Sequence, residues 1–216
     1  MKKIASPLFQ DLSEAELDTL AAAGHLRTRQ FAKHEVIFHA GSCVREIGIV
    51  LRGSVHIENL DLWGTKSILS SVGAGQAFAE TYAFCGEALM VDAVAAEHCE
   101  ILFLHTAAFT DARIEPALQD KLLRRLLAVS MRKNLSLSQR IFCTTPKTVR
   151  GRLLTYFSAQ AARCGRMEFE VPFNRQQMAD YLNLDRSALS KELCKMRDEG
   201  LLTFEKNRFA LNELPE

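Results

Sequence analysis

The residue types best suited to chemistry lie near the C-terminus, where Arg186, Ser187, Ser190 and Lys191 recur at the spacing of one helical face. Arginine and lysine donate hydrogen bonds to guanine edges or to phosphate, and serine can serve either group. A helix that presents these side chains together has the chemistry of a DNA-recognition helix. The competing interpretation is a helical hairpin whose charged face is only solvated.

Two short helices joined by a three-residue turn are predicted to position that face. Asn174 is a suitable N-cap for a helix that runs to Leu182, and Asp185 is the N-cap of a second helix that runs to Asp198. Gly200 ends the second helix. Small or aliphatic residues lie where the two helices must pack: Met178, Ala179, Leu182, Leu184, Ala188, Leu189 and Leu193. This pattern predicts a helix-turn-helix.

Residues 201–211 predict two further short strands around the sequence Glu205-Lys206-Asn207-Arg208. A wing of this kind would bring Lys206 and Arg208 to the DNA backbone.

The net charge is divided unevenly along the 216 residues. The whole chain has 27 Lys+Arg and 26 Asp+Glu, but the part up to Ala112 holds 8 and 14 of them and the remainder holds 19 and 12. A part of net charge −6 therefore precedes one of +7, which suits a C-terminal region that meets a polyanion. The composition excludes a disordered tail, a collagen and a disulfide scaffold.

No stretch of the sequence has the pattern of an export signal or approaches the roughly 18 apolar residues of a spanning helix. The six cysteines are far apart and form no C-x-x-C pair. We therefore expect reduced thiols, a cytoplasmic location and no membrane partner.

The N-terminal part predicts a short helix followed by a β-sandwich. Ser13 and Glu16 have the spacing of a capping box at the start of the helix. From Leu26 to Leu104, short β-rich runs alternate with glycines at positions 41, 53, 64, 73 and 75. Runs this short and this regular predict a sandwich or jelly roll.

A long amphipathic helix is predicted from about Ile114. Apolar and small polar residues recur along it at spacings of 4, 3, 4, 3 and 4: Leu123, Leu127, Ser130, Asn134, Leu137 and Ile141. This spacing is typical of a coiled-coil seam and predicts a homodimer, in which Asn134 favours a paired, in-register arrangement. The alternative is a helix packed on its own sandwich.

Thr144-Thr145-Pro146 is predicted to end this helix and to serve as a hinge, since Pro146 suits the first turn of a new helix. That new helix is predicted over 147–163.

This order of parts resembles the cyclic-AMP receptor and fumarate-nitrate regulator (Crp/Fnr) superfamily of bacterial transcription factors. The most specific match is the run from Asn174 to Leu193, and Val149-Arg-Gly-Arg-Leu together with the glycine spacing supports it. The resemblance implies an α+β fold with an effector-sensing jelly roll over 1–112, a dimerisation helix and hinge over 113–145, and a winged helix-turn-helix over 146–216.

The same resemblance assigns roles to residues of the C-terminal part. It implies that the face containing Arg186, Ser187, Ser190 and Lys191 reads bases in the major groove. Residues Arg175 and Gln176 correspond to positions that touch phosphate.

The chain departs from the resemblance in the segment that would bind a cyclic nucleotide. Family members that bind cyclic AMP carry an arginine that neutralises the cyclic phosphate, followed by Ser or Thr. Glu80 matches the glutamate that holds the ribose hydroxyl, but Leu89 and Met90 occupy the positions of the arginine and its neighbour, and residues 67–112 contain no Arg or Lys. A cyclic phosphate would lack a fixed counter-charge, at a cost on the order of several kcal/mol.

We therefore expect an unidentified small-molecule effector that is not a cyclic nucleotide. Its predicted pocket combines Glu80, Tyr82, Leu89 and Met90 with two residues of the long helix, Leu137 and Ser138. A cyclic nucleotide, a haem on one of the six histidines, and a redox-active thiol stay open as alternatives. An iron-sulfur cluster is disfavoured because no cysteine precedes Cys43.

The expected partners are double-stranded DNA with a two-fold operator, a second copy of the chain and the effector, with RNA polymerase as a further candidate. We expect no enzymatic activity, no cofactor and no metal site. A cupin-like metalloenzyme is the remote alternative, since the chain lacks the H-x-H pair followed closely by Glu that such a site usually has. A dimeric scaffold that does not touch DNA is the third class.

Overall fold

The structure, a computed structural model, describes residues 4–60 and 66–212. Gly64 of the predicted glycine pattern lies outside these residues. Residue contacts divide the chain into two units, the first ending at Arg132 and the second beginning at Lys133. The predicted three-part division at 112 and 145 stays a prediction.

The first unit begins with a 3-10 turn, Pro7–Phe9, and helix α1, Glu14–Ala22. Ser13 Oγ accepts a hydrogen bond from the Glu16 backbone N–H at 3.3 Å, and Glu16 Oε2 accepts one from the Ser13 N–H at 2.7 Å. This reciprocal capping box confirms the predicted start of the helix. The buried face of α1 carries Leu17 and Leu20.

Eight strands and one short helix follow α1. Their bounds are β1 Leu26–Phe31, β2 Val36–Phe38, β3 Glu46–Arg52, β4 Ser54–Leu60, β5 Lys66–Gly73, β6 Ala77–Phe78, α2 Glu80–Cys85, β7 Asp92–Ala95 and β8 Cys99–His105. They form two four-stranded sheets, with strand orders β1-β8-β3-β6 and β2-β7-β4-β5. All their pairings are antiparallel, so the predicted sandwich is confirmed.

The tight turn between β3 and β4 requires Gly53. Its φ of +80° lies in the left-handed region, and a Cβ atom there would lie 2.7 Å from the His98 carbonyl oxygen. The sandwich interior is filled by aromatic and β-branched side chains, among them Phe31, Phe38, Phe78 and Phe103.

Helix α3 spans Pro116–Thr144. It begins two residues after the predicted Ile114, because Pro116 is well suited to the first position of a helix. Its first turns bury Leu118, Leu122 and Leu126 against the core of the first unit. An ion pair from Lys121 Nζ to Glu16 Oε1, at 2.6 Å, connects α3 to α1.

The second unit contains the end of α3, three further helices and a small sheet. The elements are α4 Val149–Cys164, β9 Glu168–Glu170, α5 Arg175–Leu182, α6 Arg186–Asp198, β10 Leu202–Glu205 and β11 Arg208–Leu211. The three strands pair in the order β10-β11-β9. A separate core holds them together, with Tyr156, Phe157, Phe169 and Phe209 among its buried side chains.

The start of α4 differs from the prediction that Pro146 lies in the first turn of a new helix. Thr148 is the N-cap, and its hydroxyl accepts a hydrogen bond from the Gly151 N–H at 3.0 Å. Pro146 therefore lies in the connection before the helix, because a threonine cap fixes the start two residues later. No helix among the described residues is long and apolar enough to cross a membrane.

Candidate nucleic-acid interface

The helix-turn-helix is built by local hydrogen bonds at three helix ends. Asn174 Oδ1 accepts from the Gln177 N–H and Gln177 Oε1 accepts from the Asn174 N–H, both at 2.9 Å. Asn183 ends α5 in the left-handed conformation, which asparagine adopts more readily than most residues. Asp185 Oδ1 accepts from the Ala188 N–H at 2.9 Å and so caps α6. The structure thus contains the predicted turn of residues 183–185.

Packing between α5 and α6 determines which side of α6 is exposed. Met178, Ala179 and Leu182 of α5 are buried, as are Leu189 and Leu193 of α6. The opposite side of α6 presents Arg186, Ser187 and Lys191 to solvent, with Ser190 half-buried beside them. The four residues predicted to read bases therefore lie on α6 as a group.

The carboxylates in the C-terminal half of α6 and just after it are paired with arginines. Arg150 of α4 donates to Glu192 Oε1 at 2.6 Å and reaches Glu199 Oε2 at 2.8 Å. These contacts raise the pKa of Arg150, and the bond from Arg150 lowers the pKa of Glu199. Asp198 is paired with Arg197 at 2.9 Å. These ion pairs hold the acids at the C-terminal end of α6, while its N-terminal end has the Asp185 cap beside Arg186.

The wing is a hairpin of β10 and β11 in which Glu205 pairs with Arg208. Lys206 occupies the turn with a φ of +52°. Arg208 also pairs in register with Glu170 of β9. Arg208 therefore lies between two acidic positions, a surrounding that the sequence prediction did not include.

Arg175, the first residue of α5, lies over the wing rather than free in solvent. Its guanidinium carbon is 4.9 Å and 5.1 Å from the ring centroids of Phe204 and Phe209. Desolvation by this packing lowers the pKa of Arg175. An open cleft of about 450 Å³ at the N-terminus of α5 is lined by both Arg175 and Lys206. Gln176 is engaged within α5 through a 2.8 Å hydrogen bond to Asp180.

Sequence analysis missed two arginines that hold the end of α5. Arg140 of α3 donates to the carbonyls of Asp180 and Tyr181, each at 3.0 Å. Arg152 of α4 donates to the carbonyls of Leu182 and Asn183 at 3.1 and 2.7 Å. The available signal was that neither arginine has an acidic residue three or four positions away on its own helix.

The segment predicted to bind an effector is partly buried in the first unit. Glu80 is only 5% exposed and begins α2 directly after Ala79, whose φ of +61° is unusual for alanine. Leu89 is 4% exposed and belongs to the sandwich core, whereas its neighbour Met90 is 77% exposed. Tyr82 is half-buried. The structure therefore separates the environments of Leu89 and Met90 although they are adjacent in sequence.

The predicted seam lies along an exposed face of α3. Leu123, Leu127, Leu137 and Ile141 are each about half exposed or more, Asn134 is exposed and Ser130 is half-buried. Ser138, predicted to face the effector, is also exposed. The exposed apolar surface of α3 extends beyond the six predicted seam residues, since it also includes Met131, Leu135 and Phe142.

The side chains suited to redox or metal chemistry are dispersed. Cys99 and Cys143 are buried, and burial raises the pKa of both thiols, while the other four cysteines are exposed. Within residues 4–60 and 66–212, no three His, Cys, Asp or Glu side chains are grouped as they would be around a metal ion.

Comparison with known proteins identifies domains in both units. A family model of the cyclic nucleotide-binding domain matches residues 28–113, and one of the Crp-like helix-turn-helix domain matches residues 151–216. A search of curated proteins gives no significant match.

Several solved structures share the fold at low sequence identity. FixK2 from Bradyrhizobium japonicum is 18% identical, over 87% of this chain and 93% of that one, with a TM-score of 0.52. The c-di-GMP-responsive global regulator CLP from Xanthomonas campestris is 17% identical, over 94% of this chain and all of that one, with a TM-score of 0.56. A cyclic nucleotide-binding domain from Methylobacillus flagellatus is 21% identical, over 65% and 76% of the two chains, with a TM-score of 0.54.

These findings confirm the predicted fold class, an α+β chain with an N-terminal jelly roll, the long helix α3 and a C-terminal winged helix-turn-helix. The two family models together match well over half of the residues, and they occur in the predicted order. The chain therefore belongs to the Crp/Fnr superfamily of transcription regulators.

Proposed function

We propose that this regulator is a homodimer that binds a two-fold operator and is controlled by an effector other than a cyclic nucleotide. The observation that carries the proposal is the exposed face of α6, where Arg186, Ser187 and Lys191 lie together on the second helix of a helix-turn-helix. In this motif the N-terminal residues of the second helix contact base edges in the major groove.

The side chains of α6 would divide the work of recognition. Arg186 suits bidentate contact with guanine O6 and N7, and Lys191, one turn further along, suits guanine or phosphate. Ser190 adds a hydroxyl group that can donate or accept, and Ser187 adds one that can accept, because its hydrogen is donated to Asp185 Oδ1. Within residues 4–60 and 66–212, no ion pair joins a carboxylate to Arg186 or Lys191, and Glu192 and Glu199 are bonded to Arg150.

Contacts to the DNA backbone would lie beside the exposed face of α6. Arg175 and Lys206 line one cleft at the N-terminus of α5, where unpaired N–H groups and the helix dipole favour a phosphate. Gln176 and Arg208 are proposed to add weaker contacts to the DNA backbone. Phosphate contacts of this kind position the protein without reading sequence.

The exposed face of α3 supports the proposal of a homodimer. Leu123, Leu127, Leu137 and Ile141 recur at the seam spacing, and burying the exposed half of each would be favourable by about 1 kcal/mol. A second copy of α3 offers the complementary surface, because a two-fold seam brings identical positions together. Asn134 would then pair with its counterpart and fix the register.

The first unit supports an effector without a cyclic phosphate. Residues 67–112 contain no Arg or Lys, and the position expected to hold the phosphate-binding arginine is Leu89, buried among apolar side chains. We propose that the effector contacts Glu80, Tyr82 and Met90 of the first unit, and Leu137 and Ser138 of α3. A cyclic nucleotide, a haem or a redox signal is the alternative. A cytoplasmic location and contact with RNA polymerase complete the proposal.

Selection of bound duplexes from a random DNA pool tests the DNA-binding part. We expect an inverted repeat whose half-sites are centred about one helical turn, ~34 Å, apart. Sedimentation of the purified protein should give a dimer. Recovery of unrelated duplexes, or a monomer at micromolar concentration, would contradict the proposal.

Thermal unfolding with candidate small molecules tests the effector part. A ligand that binds only the folded state raises the melting temperature, because at a free concentration L it stabilises that state by RT ln(1 + L/Kd). We expect no shift with cyclic AMP at 1 mM. A clear shift would show that the buried Leu89 position does not prevent cyclic-nucleotide binding.

A further inference from the structure

The C-terminal end of α5 is held from outside the helix-turn-helix. The last carbonyl groups of any α-helix have no partner within the helix. In α5, four consecutive carbonyls, those of residues 180–183, accept hydrogen bonds from Arg140 and Arg152. Two guanidinium groups at the negative end of a helix dipole are also favourable electrostatically.

The two arginines come from the helices on either side of the predicted hinge. Arg140 lies one turn before the end of α3, and Arg152 lies in the first turn of α4. Arg152 Nε donates in addition to the Pro146 carbonyl at 2.9 Å, so one side chain holds both the connection and the end of α5. The guanidinium carbon of Arg140 is also 5.9 Å from the centroid of the Tyr181 ring.

Other contacts stabilise the connection between α3 and α4. Cys143, in the last turn of α3, is buried in the core of the second unit. Gly151 lies so close to Pro146 that an added Cβ would be 2.9 Å from the proline Cβ. Thr145 Oγ1 donates to the Ile141 carbonyl at 2.8 Å. The segment that the sequence predicts as a hinge is therefore packed against α4 and bonded through Arg152.

We infer that Arg140 and Arg152 are positioning residues that fix the direction of α6 relative to the last turns of α3. Arg140 donates through Nε and Nη2 and Arg152 through Nε and Nη1, in every case to a backbone carbonyl, so both side chains are directed at the protein backbone. The inference rests on the proposed function, in which α3 forms the dimer seam. In such a dimer, the separation of the two recognition helices depends on how stiffly each helix-turn-helix is joined to α3. The hydrogen bonds from Arg140 and Arg152 to α5 thereby set the distance between half-sites that the protein accepts.

The test measures the affinity of the full-length protein for operators that differ only in half-site spacing. The spacers are the length found by selection from random DNA and lengths one and two base pairs shorter or longer. Wild-type protein should show a sharp optimum. For Arg140→Gln, we expect the ratio of affinities between the best spacer and its neighbours to fall at least about tenfold, because Arg140 makes two charge-assisted hydrogen bonds to α5 and the loss of one is on that scale. Base preference within each half-site should be unchanged, because the face of α6 is untouched.

Arg132→Gln is the matched control. Arg132 is an exposed residue of the same helix and outside the seam spacing, so this variant removes the same charge without touching α5. It should keep the wild-type spacer profile. An Arg140→Gln variant that weakens all spacers by the same factor would overturn the inference, because loss of folded protein or of general charge acts equally on every operator.

Arg140→Lys covers the case in which Arg140→Gln does not fold. Lysine keeps the charge but lacks the planar fork that spans two carbonyls. We expect a partial flattening of the spacer profile, and an unchanged profile would overturn the inference. If wild-type protein itself selects no two-fold operator, it is the proposed function that fails. If it does and the variants keep the same profile, only the role of the arginines fails.

Discussion

The exposed face of α6 and the segment that contains Glu80, Leu89 and Met90 differ in the charge they carry. On α6, the side chains of Arg186, Ser187 and Lys191 are exposed. Residues 67–112 contribute strands and helix α2 to the jelly roll, but they contain no Arg or Lys. One chain thus places cations on the exposed helix of its second unit and leaves this stretch of its jelly roll without a cation that could pair with an anionic ligand.

Leu89→Arg is the most severe way to break this comparison. It would place the family's arginine at the matching position, but Leu89 is almost fully buried in the sandwich core. An unpaired buried charge costs more than about 3 kcal/mol, so we expect a large loss in the free energy of unfolding and no gain of cyclic-AMP binding. Urea denaturation and calorimetric titration measure the two effects.

Met90→Arg is the control for that substitution, because Met90 is largely exposed. Its free energy of unfolding should stay within about 0.5 kcal/mol of wild type. A stable Leu89→Arg protein that binds cyclic AMP would show instead that one substitution gives this segment a working phosphate site.

Arg186→Ala tests the other region. We expect a loss of about 1–3 kcal/mol in operator binding and a relaxed preference at one base pair of each half-site. Competition binding against operators substituted at each position measures both. Arg166→Ala removes the same charge from a different groove of the second unit, beside Met167 and Leu211, and should keep the base preference. Equal effects of the two substitutions would argue against base reading by Arg186.

Lys206→Ala should have a smaller and different effect. As a phosphate contact at the wing, it should weaken binding to all duplexes alike and reduce the slope of log affinity against log salt by about 1 per bound subunit. A salt titration with random and operator DNA measures this. A change in base preference would instead show that the wing reads sequence.

The smallest expected effect concerns Asp185, which caps α6. Its hydrogen bonds, chiefly from the Ser187 hydroxyl and then from the Ala188 N–H, lower the pKa of the carboxyl group below its usual value. A lowered folded-state pKa means that the stabilisation is complete above the unfolded pKa, near 3.9, and is lost as pH falls through the folded value. The melting temperature of wild type should therefore fall more steeply than that of Asp185→Asn as pH is lowered below about 4. Parallel melting curves would contradict this.

Much of the fold was predictable because its signals are local. The capping box at Ser13 and Glu16, the cap at Asn174 and the turn at residues 183–185 each depend on hydrogen bonds between residues at most five apart. The short strands and the helical period of α3 are likewise patterns within single elements. The predicted start of α4 was wrong because two local signals, Pro146 and Thr148, competed and the threonine cap prevailed.

The candidate site was predictable only in part. The sequence identifies Arg186, Ser187 and Lys191 because helical spacing alone places them opposite the apolar face of α6. It does not show that Arg175 lies over Phe204 and Phe209, or that Arg208 lies between Glu205 and Glu170. Those surroundings depend on where β10 and β11 return to the domain.

The sequence by itself determined the division of charge, the order of elements, and the absence of Arg and Lys from residues 67–112. Only the tertiary structure decided that Leu89 is buried while Met90 is exposed, and that Arg140 and Arg152 hold the end of α5 from 30 to 41 positions away. The physical reason is one of range. Caps and periodicity act within a few residues of the chain, whereas burial and long-range hydrogen bonds depend on which elements the folded chain brings together.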